Sequence, residues 1–109
     1  MKNQLLQFAI ISIALMSLAF PRGSVVKGKI TDSKSASSLM GANIIIEGTL
    51  LGSASDENGE YLISDVPIGS YNIIAMFIGY ERFVKEIYIE ADETYIINLK
   101  LIPSALELQ

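Results

Sequence analysis

A chain of 109 residues, half of them hydrophobic, with 8 basic and 12 acidic side chains and neither cysteine nor histidine, has room for one small domain with a real core and no disulfide to brace it. A domain of this size buries roughly 60–70% of the surface its unfolded chain exposes. The net charge of −4 and the lack of any Lys/Arg cluster argue against a nucleic-acid partner, which needs concentrated cations to displace counterions. Without Cys and His the chain lacks the commonest zinc ligands, the commonest general base and the thiol nucleophile. It is therefore expected to hold no metal and no cofactor, and not to be an enzyme.

Residues 1–19 read as a secretory signal peptide. Lys2 supplies the positive start, and the apolar stretch from Leu5 to Leu18 is interrupted by Gln7, Ser12 and Ser17, so cleavage is favoured over an uncleaved span of about 20 apolar residues. Ser17 and Ala19 place small residues before a cut that leaves Phe20 first. Lys2 is the one charged side chain removed, taking −4 to −5. With no cysteine near the junction a lipid anchor is excluded. Export to the periplasm follows as an expectation, and residues 20–24 form a linker.

Val25 to Thr31 alternates strictly, with Val26, Gly28 and Ile30 on one side and Lys27, Lys29 and Thr31 on the other, which predicts a strand with one face on a core and one in water. Asp32 to Ser38 is a polar loop. Gly41 to Gly48 predicts a second strand, with Ala42, Ile44 and Ile46 inward and Ile45 outward. A weaker strand follows over Thr49 to Ser55.

The middle of the chain is a turn, Ser55-Asp56-Glu57-Asn58-Gly59-Glu60-Tyr61, pivoting on Asn58-Gly59. Gly reaches positive φ freely and Asn more readily than other side chains, so a tight hairpin is predicted between the flanking runs. Val66-Pro67-Ile68-Gly69 is a second break, and the next strand ends at a corner, Gly79-Tyr80. That strand is apolar on both sides: Tyr71, Ile73, Ala75 and Phe77 on one, Ile74, Met76 and Ile78 with Asn72 on the other. Tyr80 to Glu90 is a further strand, with Phe83, Ile87 and Ile89 on one face against Val84, Glu86, Tyr88 and Glu90, and Ala91-Asp92-Glu93 is a turn. In the last strand Tyr95, Ile97, Leu99 and Leu101 share a face, opposite Thr94, Ile96, Asn98 and Lys100. About seven short strands on an antiparallel framework argue a β-sandwich, and residues 103–109 leave the sheet as a tail.

Asp56, Asn58 and Glu60, with Asp65, suggest a calcium loop, but Gly59 stands fourth from Asp56, where an EF-hand places glycine sixth. Turn chemistry is the better reading, as it is for the carboxylate pairs Asp56/Glu57 and Asp92/Glu93. Tyr61, Tyr71, Tyr80, Tyr88 and Tyr95 are either a sugar-binding platform or core and corner packing; packing is favoured, with Tyr88 the candidate for exposure. Ile45, Ile74, Met76 and Ile78 either form an exposed apolar patch for a partner or lie under a covering layer. With Tyr88 they make up the candidate partner surface, while Asp56, Asn58, Gly59, Gly69, Gly79 and Tyr80 are assigned to turns and corners.

Gly28-Lys29-Ile30-Thr31-Asp32, Gly41-Ala42-Asn43-Ile44, Gly48-Thr49, Gly52, the 55–61 turn, Val66-Pro67-Ile68-Gly69-Ser70-Tyr71 and Gly79-Tyr80, in this order, resemble the carboxypeptidase-regulatory-like domain over residues 25–102. The resemblance implies a transthyretin-like Greek-key sandwich. It also implies a setting, the periplasmic N-terminus of SusC-like TonB-dependent outer-membrane receptors of Bacteroidetes-type bacteria. Ala105-Leu106-Glu107-Leu108 is similar to the start of the connection to such a receptor's plug and barrel. On this reading the partner is a protein, either the receptor's plug or barrel or another periplasmic or outer-membrane component. The alternative is a free-standing exported domain that binds carbohydrate or another ligand.

Overall fold

The computed structural model describes residues 22–105; the expected signal peptide, the start of the linker and the end of the tail lie outside the described residues. Eight strands appear there: β1 (Ser24–Asp32), β2 (Asn43–Ile46), β3 (Gly52–Ala54), β4 (Glu60–Val66), β5 (Gly69–Met76), β6 (Phe83–Ile89), β7 (Thr94–Ile96) and β8 (Leu99–Leu101). They form two sheets. One has the order β4-β1-β7, with β8 also paired to β1; the other runs β3-β2-β5-β6.

The alternation read from the sequence is what joins the sheets. Val26 and Ile30 of β1, Tyr61 and Ile63 of β4, and Leu99 and Leu101 of β8 meet Ile44 and Ile46 of β2, Ile73 and Ala75 of β5, and Ile87 and Ile89 of β6 in one buried cluster. Each large side chain so buried contributes roughly 1.5–3 kcal/mol, set against the chain entropy lost on folding. Lys27 and Lys29 stand in water on the opposite face.

Four features depart from the sequence reading. The turn at Asp56–Glu60 closes as expected: Gly59 N donates to Asp56 O (2.9 Å) and Asp56 N to Glu60 O (2.9 Å). Gly59 takes φ +78° while Asn58 keeps negative φ, as in a type I turn completed by a left-handed glycine. The flanking strands do not pair, however. β3 belongs to one sheet and β4 to the other, so the predicted hairpin is a corner between sheets. Alternation says which side of a strand is apolar, not which sheet it joins.

The last predicted strand is two, β7 and β8, interrupted at Ile97-Asn98. Both lie parallel to β1, Val25 beside Thr94 and Asp32 beside Leu101, where an antiparallel framework was expected; the other pairs are antiparallel. The interruption sits over Gly28. A Cβ there would lie 2.0 Å from the Ile97 carbonyl oxygen, so the two backbones approach as only glycine allows.

Because β1 runs parallel to β7 and β8, the chain enters at one pole of the sandwich and leaves at the other. Each end is tied down. At the first pole Asp92 N donates to Arg22 O (3.0 Å) and Val25 N to Glu93 O (2.9 Å), while the buried Ser24 hydroxyl accepts from Glu93 N (2.9 Å) and donates to Glu90 O. Ser24, placed in the linker by the sequence reading, opens β1. At the second pole Glu81 N donates to Ile102 O and Ser104 N to Gly79 O, both at 2.8 Å. The start of the expected tail is thus docked against the β5–β6 connection.

Candidate binding surface

On the outer face of the β3-β2-β5-β6 sheet, Ile45, Ile74 and Val84 stand in one row across β2, β5 and β6, with Met76 one step along. Ile45 and Met76 are partly exposed. Ile74 is not: 2% of its surface reaches solvent, although it lies outside the cluster between the sheets. This corrects its place in the candidate partner surface. Its row neighbours flank it, and an ion pair crosses it. Arg82 lies level with Met76 and Glu47 level with Asn72, so their contact (3.8 Å) runs diagonally over the Ile74 position. The Asn72 amide also donates to Glu47 Oε1 (3.3 Å).

Ile78, 90% exposed, follows the end of β5 in the connection to β6. Tyr88, 60% exposed, is opposite Ser70, beyond the polar Asn72–Glu86 row. The five candidate residues therefore do not form one surface.

The other tyrosines are anchored through their hydroxyls. Tyr61 donates to Ile97 O (2.6 Å) from a buried position, and that burial pushes its hydroxyl up to about 12. Tyr71 donates to Pro67 O (2.9 Å) beside Gly69, and Tyr95 accepts from Glu90 N (2.8 Å). At the Gly79 corner, where φ is +89°, Tyr80 stacks on Phe77 at 5.7 Å and donates to Asp32 Oδ2 (2.7 Å). That bond, with the Ser35 and Lys34 amides, holds the Asp32 carboxyl at about 2, and the same bond raises the Tyr80 hydroxyl. No platform of parallel exposed rings results.

The Asp56 carboxylate accepts from the amides of Asn58 and Glu60, both at 2.9 Å, and this is the turn chemistry expected of it. Among the described residues no three Asp, Glu, His or Cys side chains gather as a metal site.

The surface that sequence reasoning missed lies on the other sheet. An open groove of about 690 Å³ runs along the outer face of β1, and its floor includes Lys27, Lys29, Glu60, Leu62, Ile96 and Asn98. Register builds it: Leu62, Lys27 and Ile96 form one row across β4, β1 and β7, and Glu60 and Lys29 the next, continued by Asn98, whose Oδ1 accepts from Lys29 N (2.9 Å). Leu62 and Ile96 are 53% and 70% exposed. The available signal was an apolar residue at a solvent-facing position on each of two strands.

Two packed β-sheets carrying shallow, side-chain-built surfaces define a β-sandwich domain. Residues 26–109 match the family described as the CarboxypepD_reg-like domain, and the chain belongs to that family. No functionally curated protein matches it in sequence. Among solved structures it is similar to a chain of a type II cohesin–X-dockerin complex from Acetivibrio cellulolyticus (22% identity, TM-score 0.60, covering 73% of this chain and 56% of that one). It is also similar to the major pilin subunit of Bacillus cereus (18%, 0.62, 77% and 31%) and to a proposed carbohydrate-binding protein from Bacteroides uniformis (17%, 0.57, 73% and 41%). At these identities the likeness is one of fold, and the chain spans little more than half, or less, of each.

Proposed function

We propose that this domain is a non-catalytic periplasmic module, the N-terminal extension of a TonB-dependent, SusC-like outer-membrane receptor, acting by protein contact and positioning. The observation that carries the reading is the arrangement of the ends. The chain enters and leaves at opposite poles, each fixed by backbone hydrogen bonds. A nine-residue β1 rising about 3.3 Å per residue sets the two poles roughly 30 Å apart. A domain built this way separates its entry at Arg22 from its exit at Ser104 and presents its sheet faces between them. Family membership and the leader-like residues 1–19 support the setting.

The test is the DNA beyond the Gln109 codon, followed by in-frame deletion of residues 25–102. The expected result is a frame continuing into plug and barrel, and a deletion strain that keeps the barrel in its outer membrane but loses growth on the receptor's substrate. An unrelated downstream sequence with no frameshift joining the two, or undiminished growth, overturns the assignment.

The carbohydrate reading has in its favour the exposed Tyr88 ring and the fold shared with the Bacteroides uniformis protein. Calorimetric titration with oligosaccharides tests it: heat that disappears in Tyr88→Ala supports it, and no heat removes it.

A further inference from the structure

We infer that the groove over β1 is a docking site for an extended segment of a partner protein carrying acidic side chains at alternate positions. The inference rests on the protein-contact reading above and names the chemistry of the contact. Lys27 and Lys29 are two residues apart on one face of a strand, so their stems rise from points roughly 6.6 Å apart. An extended peptide repeats its own side chains at that spacing, so carboxylates at successive alternate positions meet the two ammonium groups in step.

Among the described residues neither lysine takes part in an ion pair, so both charges are available. Leu62 and Ile96 flank Lys27 in its row and offer apolar surface on either side of it, which suits the methylene stems of the ligand's groove-facing acidic side chains. Binding here is made by side chains and not by strand addition, because β1 is central and has β4 on one edge and β7 and β8 on the other.

The anionic groups at the groove set its polarity. Glu60 stands opposite Lys29 on the β4 side and repels a ligand carboxylate there. The Asp56 carboxylate, also at the groove, is engaged by two amides. An acidic segment is thereby directed toward the Ile96–Asn98 side. An acidic polysaccharide is less suited: the aromatic ring bordering the groove, Tyr61, is buried and hydrogen-bonded to Ile97 O, so no ring is presented for a sugar to stack on.

The experiment is an NMR titration of the isotope-labelled full chain with a capped synthetic peptide alternating Leu and Glu. Parallel arms use its Leu/Lys counterpart and an oligogalacturonate. The expected result is shifts at Lys27, Lys29, Leu62 and Ile96 with the acidic peptide and none with the basic one. Affinity should fall at least tenfold in Lys27→Gln/Lys29→Gln, whose exposed substitutions leave the rest of the spectrum in place, and should weaken as salt rises. Shifts mapping elsewhere, an affinity unchanged in the double variant, or a response to the oligogalacturonate and not to the peptide overturns the inference. The titration uses the isolated chain, so its failure leaves the receptor assignment standing, and a missing downstream receptor leaves the titration valid.

Discussion

Gly28→Ala tests the construction of the sandwich at its most constrained point. The added methyl would sit 2.0 Å from the Ile97 oxygen, 2.6 Å from the Ile97 carbonyl carbon and 3.1 Å from a Tyr61 ring carbon. Two of these are backbone atoms that cannot rotate aside. Relief to ordinary contact requires the Ile97-Asn98 segment to move by more than an ångström. That movement pulls on three hydrogen bonds: Ile97 N to Lys27 O (2.8 Å), Tyr61 Oη to Ile97 O (2.6 Å) and Lys29 N to Asn98 Oδ1 (2.9 Å). At about 1 kcal/mol net for each, the loss is about 3 kcal/mol. A domain of this size has a total stability of roughly 5–10 kcal/mol, and such a loss lowers Tm by roughly 12–24 °C. Urea unfolding followed by far-UV circular dichroism reads it directly. Gly48→Ala is the control, since its Cβ meets nothing within 4 Å and carries the backbone strain of φ +85° alone. A change below about 0.5 kcal/mol in Gly28→Ala would refute the close approach of β1 to the β7–β8 interruption.

Gly59→Val is expected to destabilise by about 1–3 kcal/mol from its positive φ, and the Cβ would also press on Ile30 O at 2.7 Å; an unchanged melting temperature contradicts the turn geometry. Asp32 bears on acid stability. Its folded value of about 2 lies below the ordinary 3.8, so the contribution of its carboxylate is complete above about pH 4 and is lost as pH falls toward 2. Asp32→Asn should therefore flatten the dependence of Tm on pH between 4 and 2, and Tyr80→Phe, which removes the largest cause of the shift, should flatten it partly; a slope unchanged in both contradicts the bond.

The inward residues of β1 and β2 were legible from alternation because each strand has one face on the core, and a period of two has no competing explanation there. The corner at Gly59 was legible as a turn but not as a passage between sheets, since the turn's own hydrogen bonds are those of a hairpin loop. The burial of Ile74 goes with its place between Ile45 and Val84, beside the Arg82–Glu47 pair, an adjacency that follows from strand register and is invisible in one dimension. The groove escaped notice for the same reason: Leu62 and Ile96 are 34 positions apart in the chain and become neighbours only through their common pairing with Lys27. The exposure of Tyr88 was readable because its outward position on β6 is fixed by the inward Ile87 and Ile89.

The interruption at Ile97-Asn98 left no mark on the alternation because it does not change phase. Tyr95, Ile97, Leu99 and Leu101 continue on one face across it, so the break costs ladder hydrogen bonds without turning a side chain over. Two side chains replace what the ladder loses: the Tyr61 hydroxyl serves the Ile97 oxygen, and the Asn98 carboxamide oxygen serves the Lys29 amide. This substitution also shapes the groove. With its oxygen committed to the backbone, Asn98 offers an approaching ligand only the donor end of its amide. From β1 to the β7–β8 side, Lys27, Lys29 and Asn98 then all present hydrogen-bond donors, with Glu60 and Asp56 the acceptors toward β4. The same interruption that makes Gly28 indispensable thus gives one flank of the groove a donor character suited to carboxylates, and a change that repairs the strand by removing it would be expected to weaken acidic-peptide binding even while stabilising the fold.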